Sequence, residues 1–372
     1  MSEPQTTIQA ILDELVASGE EHGLQVTVYH HGELVVDAWA GVADPASGTP
    51  VTPDTLFTVY SVSKGIAATA LHILAERGTI AYDDPIAKYW PEFAQNGKEG
   101  VLVRHALTHL AGLPQLPPGA SHDDVIDWSG MCERIAAQAP LWEPGDALCY
   151  HALTYGWIVG GVLERADGRP FARIVEDELI QPLNLDGLYF GVPTADLSRV
   201  ATMEEAQELR DAVPGAIPNI APPGSLADAQ MNRPEVRQAC LPAYGLCANA
   251  RSLARVYASL FGDGVDGVRL LPPARVCEAS TLQVDGIDAS AGTPLRFGLG
   301  YGLGGPDSST GPRLSAFGHG GYGGAHAFAD PDYGLAVGLT KNRLVVNGPG
   351  QGATWRILHA IRASLSIPDH ES

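Results

Sequence analysis

Residues 6–18 set Ile8, Ile11, Leu12 and Leu15 on one face with polar residues between them, which predicts an amphipathic helix. Two alternating stretches follow, residues 24–30 and 33–41, joined at His31-Gly32; this is the pattern of a β-hairpin. A turn-rich loop over 44–54 leads to a run that is apolar almost all round, Ile66 to Ala75, and rich in alanine. That run predicts a buried helix, with Gly78 as its stop. Asp83-Asp84-Pro85 and Trp90-Pro91 break the chain after it. From about 101 to 188 the periodicity is helical: a short helix over 103–110, ended by Gly112-Leu113-Pro114, then helices over 123–139 and 151–166. Residues 194–242 are irregular, with a proline-rich part at 217–223 preceded by Glu204, Glu205 and Glu208. A loop of that length reads as a lid or a pocket wall. Helix returns at 252–261, a strand at 296–303, and two strands at 325–329 and 335–340 around the turn Pro331-Asp332-Tyr333-Gly334. A helix over 355–365 closes the chain. Strands at both ends and helices between them suggest a sheet built from both termini with a helical insertion.

At 372 residues the chain can bury a sizeable core, and no apolar run is long enough to cross a membrane. The net charge of −20 argues against a nucleic-acid partner and repels anionic substrates at long range. The first 21 residues have neither a basic nor an apolar leader region, and the five cysteines show no Cys-x-x-Cys spacing. A cytoplasmic protein with reduced thiols is the expectation. Cys149, beside a candidate catalytic residue, reads as a small buried hydrophobe.

The chemistry centres on Tyr60-Ser61-Val62-Ser63-Lys64-Gly65. Ser61 and Lys64 stand one turn apart on one helix face. A buried lysine beside a hydroxyl has a lowered pKa and can accept its proton. A turn at Pro144-Gly145 delivers Tyr150 to the start of an apolar helix; near a lysine cation its pKa should fall and let the phenolate act as a base. Gly318, Gly320 and Gly323 satisfy G-x-G-x-x-G, as do Gly300, Gly302 and Gly305, but a dinucleotide site needs a following helix and neither run has one. A Gly-rich strand edge instead lets backbone approach a substrate and completes an oxyanion hole. His105 and His109 share one helix face without an obvious third ligand, and read as structural.

Together, Ser61-x-x-Lys64, Tyr150 and the run from Gly318 to Gly324 resemble the serine β-lactamase and DD-peptidase superfamily. The nearest likeness is to its esterase branch, the family VIII carboxylesterases, which are similar to class C β-lactamases. The segments from Val103 to Pro114, Trp142 to Trp157, Ala250 to Arg255 and Arg296 to Gly300 fit the same pattern, so the resemblance extends from about 24 to 342. It implies an α/β (α+β) fold: an antiparallel sheet flanked by helices, from about 1–80 and 245–372, and a mostly helical part over about 81–244, in one catalytic domain with the site between them. It implies Ser61 as nucleophile, Lys64 as its activator and Tyr150 as proton carrier. The backbone N–H groups of Ser61 and Tyr322 would form the oxyanion hole, and His319, Gly320 and Gly321 would line the substrate site. No metal or cofactor is implied, and the partner is a small-molecule ester.

Two departures from the β-lactamase pattern matter. Ala152 stands where that pattern has asparagine, and His319-Gly320-Gly321 stand where it has Lys-Thr-Gly. The groups that would hold a β-lactam's amide and carboxylate are gone, which favours short neutral esters. A β-lactamase or D-amino-peptide hydrolase, and an acyltransferase using the same acyl-enzyme, are the rival readings. A non-catalytic scaffold on this fold would have no use for a buried lysine.

Overall fold

The hairpin expected at 24–41 forms β1 (Gly23–His30) and β2 (Glu33–Asp44), and belongs to a nine-stranded sheet. The computed structural model describes residues 2–210, 216–306, 308, 310–345 and 350–369. Part of the long loop read at 194–242, namely 211–215 and the Glu208 side chain, lies outside the described residues. The other strands of the sheet are β3 (Thr49–Pro50), β8 (Val284–Ile287), β9 (Pro294–Phe297), β10 (Gly302–Leu303), β11 (Phe317–Gly320), β12 (His326–Asp330) and β13 (Leu335–Lys341). Their order is β3-β2-β1-β13-β12-β11-β10-β9-β8, and every pairing is antiparallel. Both termini thus build one sheet, while the stretch between its two groups of strands is mainly helical.

Side-chain alternation divides the sheet into two buried faces. Leu24, Val26 and Val28 of β1, with Leu335, Val337 and Leu339 of β13, pack against Ile8, Leu12 and Leu15 of the N-terminal helix (Glu3–Ala17). The C-terminal helix (Gly352–Ser364) adds Ile357, Leu358 and Ile361 to that layer. The opposite face carries small or polar groups under the helix Ala250–Ala258. A Cβ on Gly338 would lie 2.2 Å from the Ala250 carbonyl oxygen, so this helix can sit directly on the strand. Gln25 is buried there without cost because its amide donates to the Thr52 and Thr55 carbonyls and its oxygen accepts the Ala250 N–H. Beyond that helix lies the larger core. It joins Ile66, Leu71 and Leu74 of the helix Val62–Glu76 to Trp157, Ile158 and Val162 of the helix Thr154–Asp167.

Several expectations shift for local reasons. The loop over 44–54 contains β3, a two-residue edge strand too short to show a period. The helix read over 123–139 is interrupted at Asp127, whose carboxylate accepts the Gly130 N–H (3.0 Å) and caps a fresh start at Trp128. The strand read over 296–303 splits into β9 and β10 because Gly300 turns with a φ of 80°. A Cβ there would lie 2.6 Å from the Ala68 Cβ and 2.9 Å from the Tyr155 hydroxyl, so the turn presses on the Val62–Glu76 helix. A three-stranded sheet of β4 (Phe57–Thr58), β7 (Leu246–Ala248) and β5 (Leu188–Phe190), in the order β4-β7-β5, was not visible as a pattern. A parallel pair, β6 (Glu204–Glu205) with β14 (Arg343–Leu344), ties the start of the long loop to the end of the sheet.

Candidate active site

β4 aims the chain at the site. Its pairing with β7 continues one step further, with the Val59 N–H donating to the Leu246 carbonyl at 2.9 Å. Tyr60 then turns sharply, with a left-handed φ of 47°. That conformation costs a bulky residue about 1–3 kcal/mol and persists only where the surroundings enforce it. Here the Tyr60 hydroxyl donates to the Leu226 carbonyl (3.1 Å) and its ring rests on Tyr322, 5.4 Å between centroids. The turn places Ser61 at the N-cap of the helix Val62–Glu76, where its side chain makes no capping bond. Ser63 differs: its hydroxyl donates to the Tyr60 carbonyl and accepts the Leu246 N–H (3.1 Å), so it is fully used in holding the turn.

Lys64 is completely buried, one helical turn on. Its Nζ lies 3.2 Å from Ser61 Oγ, 2.8 Å from the Ala152 carbonyl oxygen and 3.0 Å from the Ala243 carbonyl oxygen. Burial pulls its pKa well below the ordinary lysine value. A neutral amine has two N–H donors and one lone pair. The two carbonyls can only accept, so they take both donors, and the lone pair is left facing the Ser61 hydroxyl. The arrangement can therefore remove a proton from Ser61.

Tyr150 lies over the same group, with Nζ 4.8 Å from its ring centroid. Its pKa does not fall as the sequence suggested. Burial raises it, and only a hydrogen bond with Ser61 works in the opposite sense. The cation expected to lower it is itself disfavoured by burial, which acts on Lys64 and Tyr150 alike. Tyr150 is thus a neutral hydroxyl that can give a proton. On its other side stands His319, Nε2 at 3.5 Å from the Tyr150 oxygen. His319 Nδ1 donates to the Gly320 carbonyl (2.7 Å), which fixes the tautomer and leaves Nε2 as an acceptor. Burial lowers the His319 pKa to about 3, with the nearby Lys64 adding to the effect, so the ring is uncharged.

The Gly-rich turn after β11 completes the ring of groups. Gly321 N–H donates to the Ala325 carbonyl (2.7 Å), and a Cβ on Gly321 would lie 2.3 Å from the Val59 oxygen. Only glycine lets this turn close against the segment that carries Ser61. Among the described residues, neither the Ser61 nor the Tyr322 backbone N–H has an acceptor.

Ser61, Tyr150, His319, Gly320 and Tyr322 all line one cavity of about 410 Å³. Lys64 reaches it through Ser61, whereas Gly321 backs onto Val59 behind the cavity wall. Ile220, Leu226, Tyr244, Leu295 and Phe297 give the cavity its apolar lining. His109 lies behind Tyr150, ring centroids 4.5 Å apart, and its Nδ1 accepts the His151 N–H. His105 Nδ1 instead accepts the Leu102 N–H at the start of its own helix, so the two histidines have separate structural partners.

The beta-lactamase family profile matches residues 8–362. The chain belongs to the beta-lactamase family. Within that family it is 37% identical over 339 residues to the esterase/beta-lactamase LipL of Mycobacterium tuberculosis, covering 87% of this chain and 77% of that one. It superposes on a penicillin-binding protein homolog from Caulobacter crescentus with a TM-score of 0.88 at 32% identity, over 97% and 98% of the two chains. A family VIII carboxylesterase matches with a TM-score of 0.86 at 30% identity over 98% of each chain. Among the described residues no helix is long and apolar enough to cross a membrane.

Several groups around this beta-lactamase-family site were not singled out from the sequence. The two carbonyls that hold Lys64 belong to Ala152 and Ala243, and a carbonyl leaves no residue-type signal. Asp288, Ser290 and Thr293 line the cavity from a loop with no recognisable motif. Because Ser63 is committed to two structural bonds, a fluorophosphonate probe is expected to modify Ser61 alone. Peptide mapping of the labelled protein checks this, and an adduct on Ser63 would refute it.

Proposed function

We propose that the protein is a serine hydrolase that cleaves short-chain carboxylic esters through an acyl-enzyme on Ser61. The observation that carries this reading is the buried Lys64 amine, which has its two donors taken by carbonyls and its remaining position on Ser61 Oγ. In the proposed reaction the Ser61 proton passes to Lys64 while Oγ attacks the ester carbonyl. The developing oxyanion is received by the N–H groups of Ser61 and Tyr322. Tyr150 gives its hydroxyl proton to the departing alkoxide and recovers one from the Lys64 ammonium. Water then attacks the acyl-enzyme, its proton follows the same path back, and Oγ leaves as the hydroxyl of Ser61.

The acyl group would enter a small apolar cavity whose nearest imidazole, His319, is uncharged. Among the described residues that line this cavity there is no lysine or arginine to pair with a substrate carboxylate, and Ala152 has no side-chain amide to offer. The loss of a charge-assisted hydrogen bond weakens transition-state binding by about 1.5–3 kcal/mol. That is roughly ten- to a hundredfold in kcat/KM. A panel of aryl esters from acetate to decanoate, run beside a chromogenic cephalosporin, tests the reading. Acetate and butyrate esters are expected to have the highest kcat/KM. A cephalosporin turned over faster than every ester would replace this reading with that of a β-lactamase. The two words in the name of the mycobacterial relative make this the second reading. An added alcohol that diverts the acyl group from water would point to the acyltransferase rival.

A further inference from the structure

Tyr150 follows a turn and precedes a helix, and something must fix its backbone. Its N–H donates to Asp288 Oδ2 at 2.6 Å. Asp288 is 2% exposed, and no arginine or lysine pairs with it among the described residues. Its carboxylate is satisfied by backbone donors instead: Oδ1 accepts the N–H groups of Ser290 (2.8 Å) and Ala291 (2.6 Å). The Asp288 N–H donates to the Thr293 carbonyl (2.9 Å), which closes the turn. Ser290, Ala291 and Thr293 of this turn line the cavity. The turn also carries the far wall. The Ala216 N–H donates to the Ser290 carbonyl (2.9 Å), and the Ile217 N–H reaches the Ser290 hydroxyl at 3.4 Å, just ahead of the lining residue Ile220.

We infer that Asp288 is a positioning residue, whose one carboxylate locks Tyr150 in proton-transfer geometry and ties it to the turn that forms the wall of the acyl cavity. This rests on the esterase reading for the role of Tyr150. A buried carboxylate that accepts three backbone N–H groups is strongly held, because each bond is charge-assisted. Its bond to the Tyr150 main chain sets where the hydroxyl points. The negative charge also lies close enough to Tyr150 to help keep the hydroxyl protonated, in the same sense as burial.

Asp288→Asn tests this with almost no change of volume. An amide has one accepting oxygen, so it can serve Tyr150 or the turn but not both. The discriminating readout is the leaving group. An alkyl ester needs its departing oxygen protonated and a 4-nitrophenyl ester hardly does. Asp288→Asn is therefore expected to lower kcat/KM, which reports acylation, on an ethyl or butyl ester at least tenfold more than on the 4-nitrophenyl ester of the same acid. In a Tyr150→Phe background the same substitution should add no further leaving-group dependence. Equal losses on both esters, or an additional loss in the Tyr150→Phe background, would reduce Asp288 to a structural role and overturn the inference. Ser61 phosphonylation by a 4-nitrophenyl phosphonate and by its phenyl counterpart, which differ in how much their leaving oxygen needs a proton, supplies a readout independent of ester turnover. A wild type that is phosphonylated but hydrolyses no ester would retire the esterase reading alone. A larger slowing of Asp288→Asn with the phenyl phosphonate than with the 4-nitrophenyl one would then still support the positioning role, and equal or absent slowing would refute it. Should Asp288→Asn prove unfolded by circular dichroism, Asp288→Glu, which keeps the charge but displaces the carboxylate by one methylene, must show the larger loss on the alkyl ester if the inference holds, and equal losses on both esters would overturn it.

Discussion

Lys64→Met is expected to lower kcat/KM on a short-chain ester by on the order of 10⁴, the upper end of what a positioned proton acceptor contributes. Methionine fills nearly the same space, so the loss reports the amine. Among the described residues, Nζ stands 3.2 Å from Ser61 Oγ while bound to two main-chain carbonyls. Single-turnover acylation of the folded variant measures the loss directly. A rate within tenfold of wild type would show that another group deprotonates Ser61. The pH dependence follows from the same burial. In the proposed reaction the neutral amine is the active form, and its pKa lies well below the ordinary lysine value. Activity should therefore rise as pH increases through that lowered pKa and then level off. No such limb should remain in what activity Lys64→Met retains.

Stability carries a matching signature. Unfolded, Lys64 holds its proton up to about pH 10.4. Folded, it releases the proton at a lower pH. Between those two pKa values the unfolded state binds more protons, so the stability contributed by Lys64 rises with pH. The limiting slope for one group is about 1.4 kcal/mol per pH unit. Lys98, also lowered by burial, to about 8, behaves in the same sense but is common to both proteins. The difference between wild type and Lys64→Met, measured by denaturant unfolding across that window, isolates the contribution of Lys64. Parallel curves would mean that Lys64 is charged in the folded protein.

Whether a feature could be read in the chain depended on how local its cause is. Ser61 and Lys64 meet because three residues make a helical turn, and that is written in their spacing. The hairpin at 24–41 and the helix over 66–75 follow from period and composition in the same way. The Gly321 turn could be placed near substrate because repeated glycines mark close backbone approach, here against the Val59 oxygen. By contrast, β4, β5 and β7 are two or three residues long and carry no period. Asp288 joins Tyr150 across 138 positions of sequence, through main-chain N–H groups that every residue but proline possesses. The acceptors of Lys64 are carbonyls for the same reason invisible. The direction of the Tyr150 pKa was misjudged because the pairwise rule assumes that the lysine is charged. Burial of the whole cluster decides both groups together, lowering one and raising the other.

Tyr150→Phe should damage the chemistry far more than folding or substrate binding. The ring packs on His109 and lies 6.2 Å from the Phe297 ring, contacts that phenylalanine keeps. What disappears is one hydroxyl, bonded toward Ser61 and standing 3.5 Å from His319. Because that hydroxyl is held protonated, its proposed contribution is to donate a proton to the leaving alkoxide, and a positioned acid is worth on the order of 10²–10⁴ in rate. A fall in kcat of that size is expected on an alkyl ester, where the departing oxygen is a strong base. On a 4-nitrophenyl ester acylation should suffer much less, since that leaving group departs as an anion. Deacylation is the same for both esters of one acid, and water must lose a proton there, so the acyl-enzyme should accumulate. Steady-state KM will then fall without any gain in affinity. Stopped-flow measurement with the 4-nitrophenyl ester separates the steps: a near-normal burst followed by a slow steady state is the expected trace. Near-wild-type rates in both phases, from a folded variant, would remove Tyr150 from the proton path and leave Lys64 to serve both Ser61 and the leaving group.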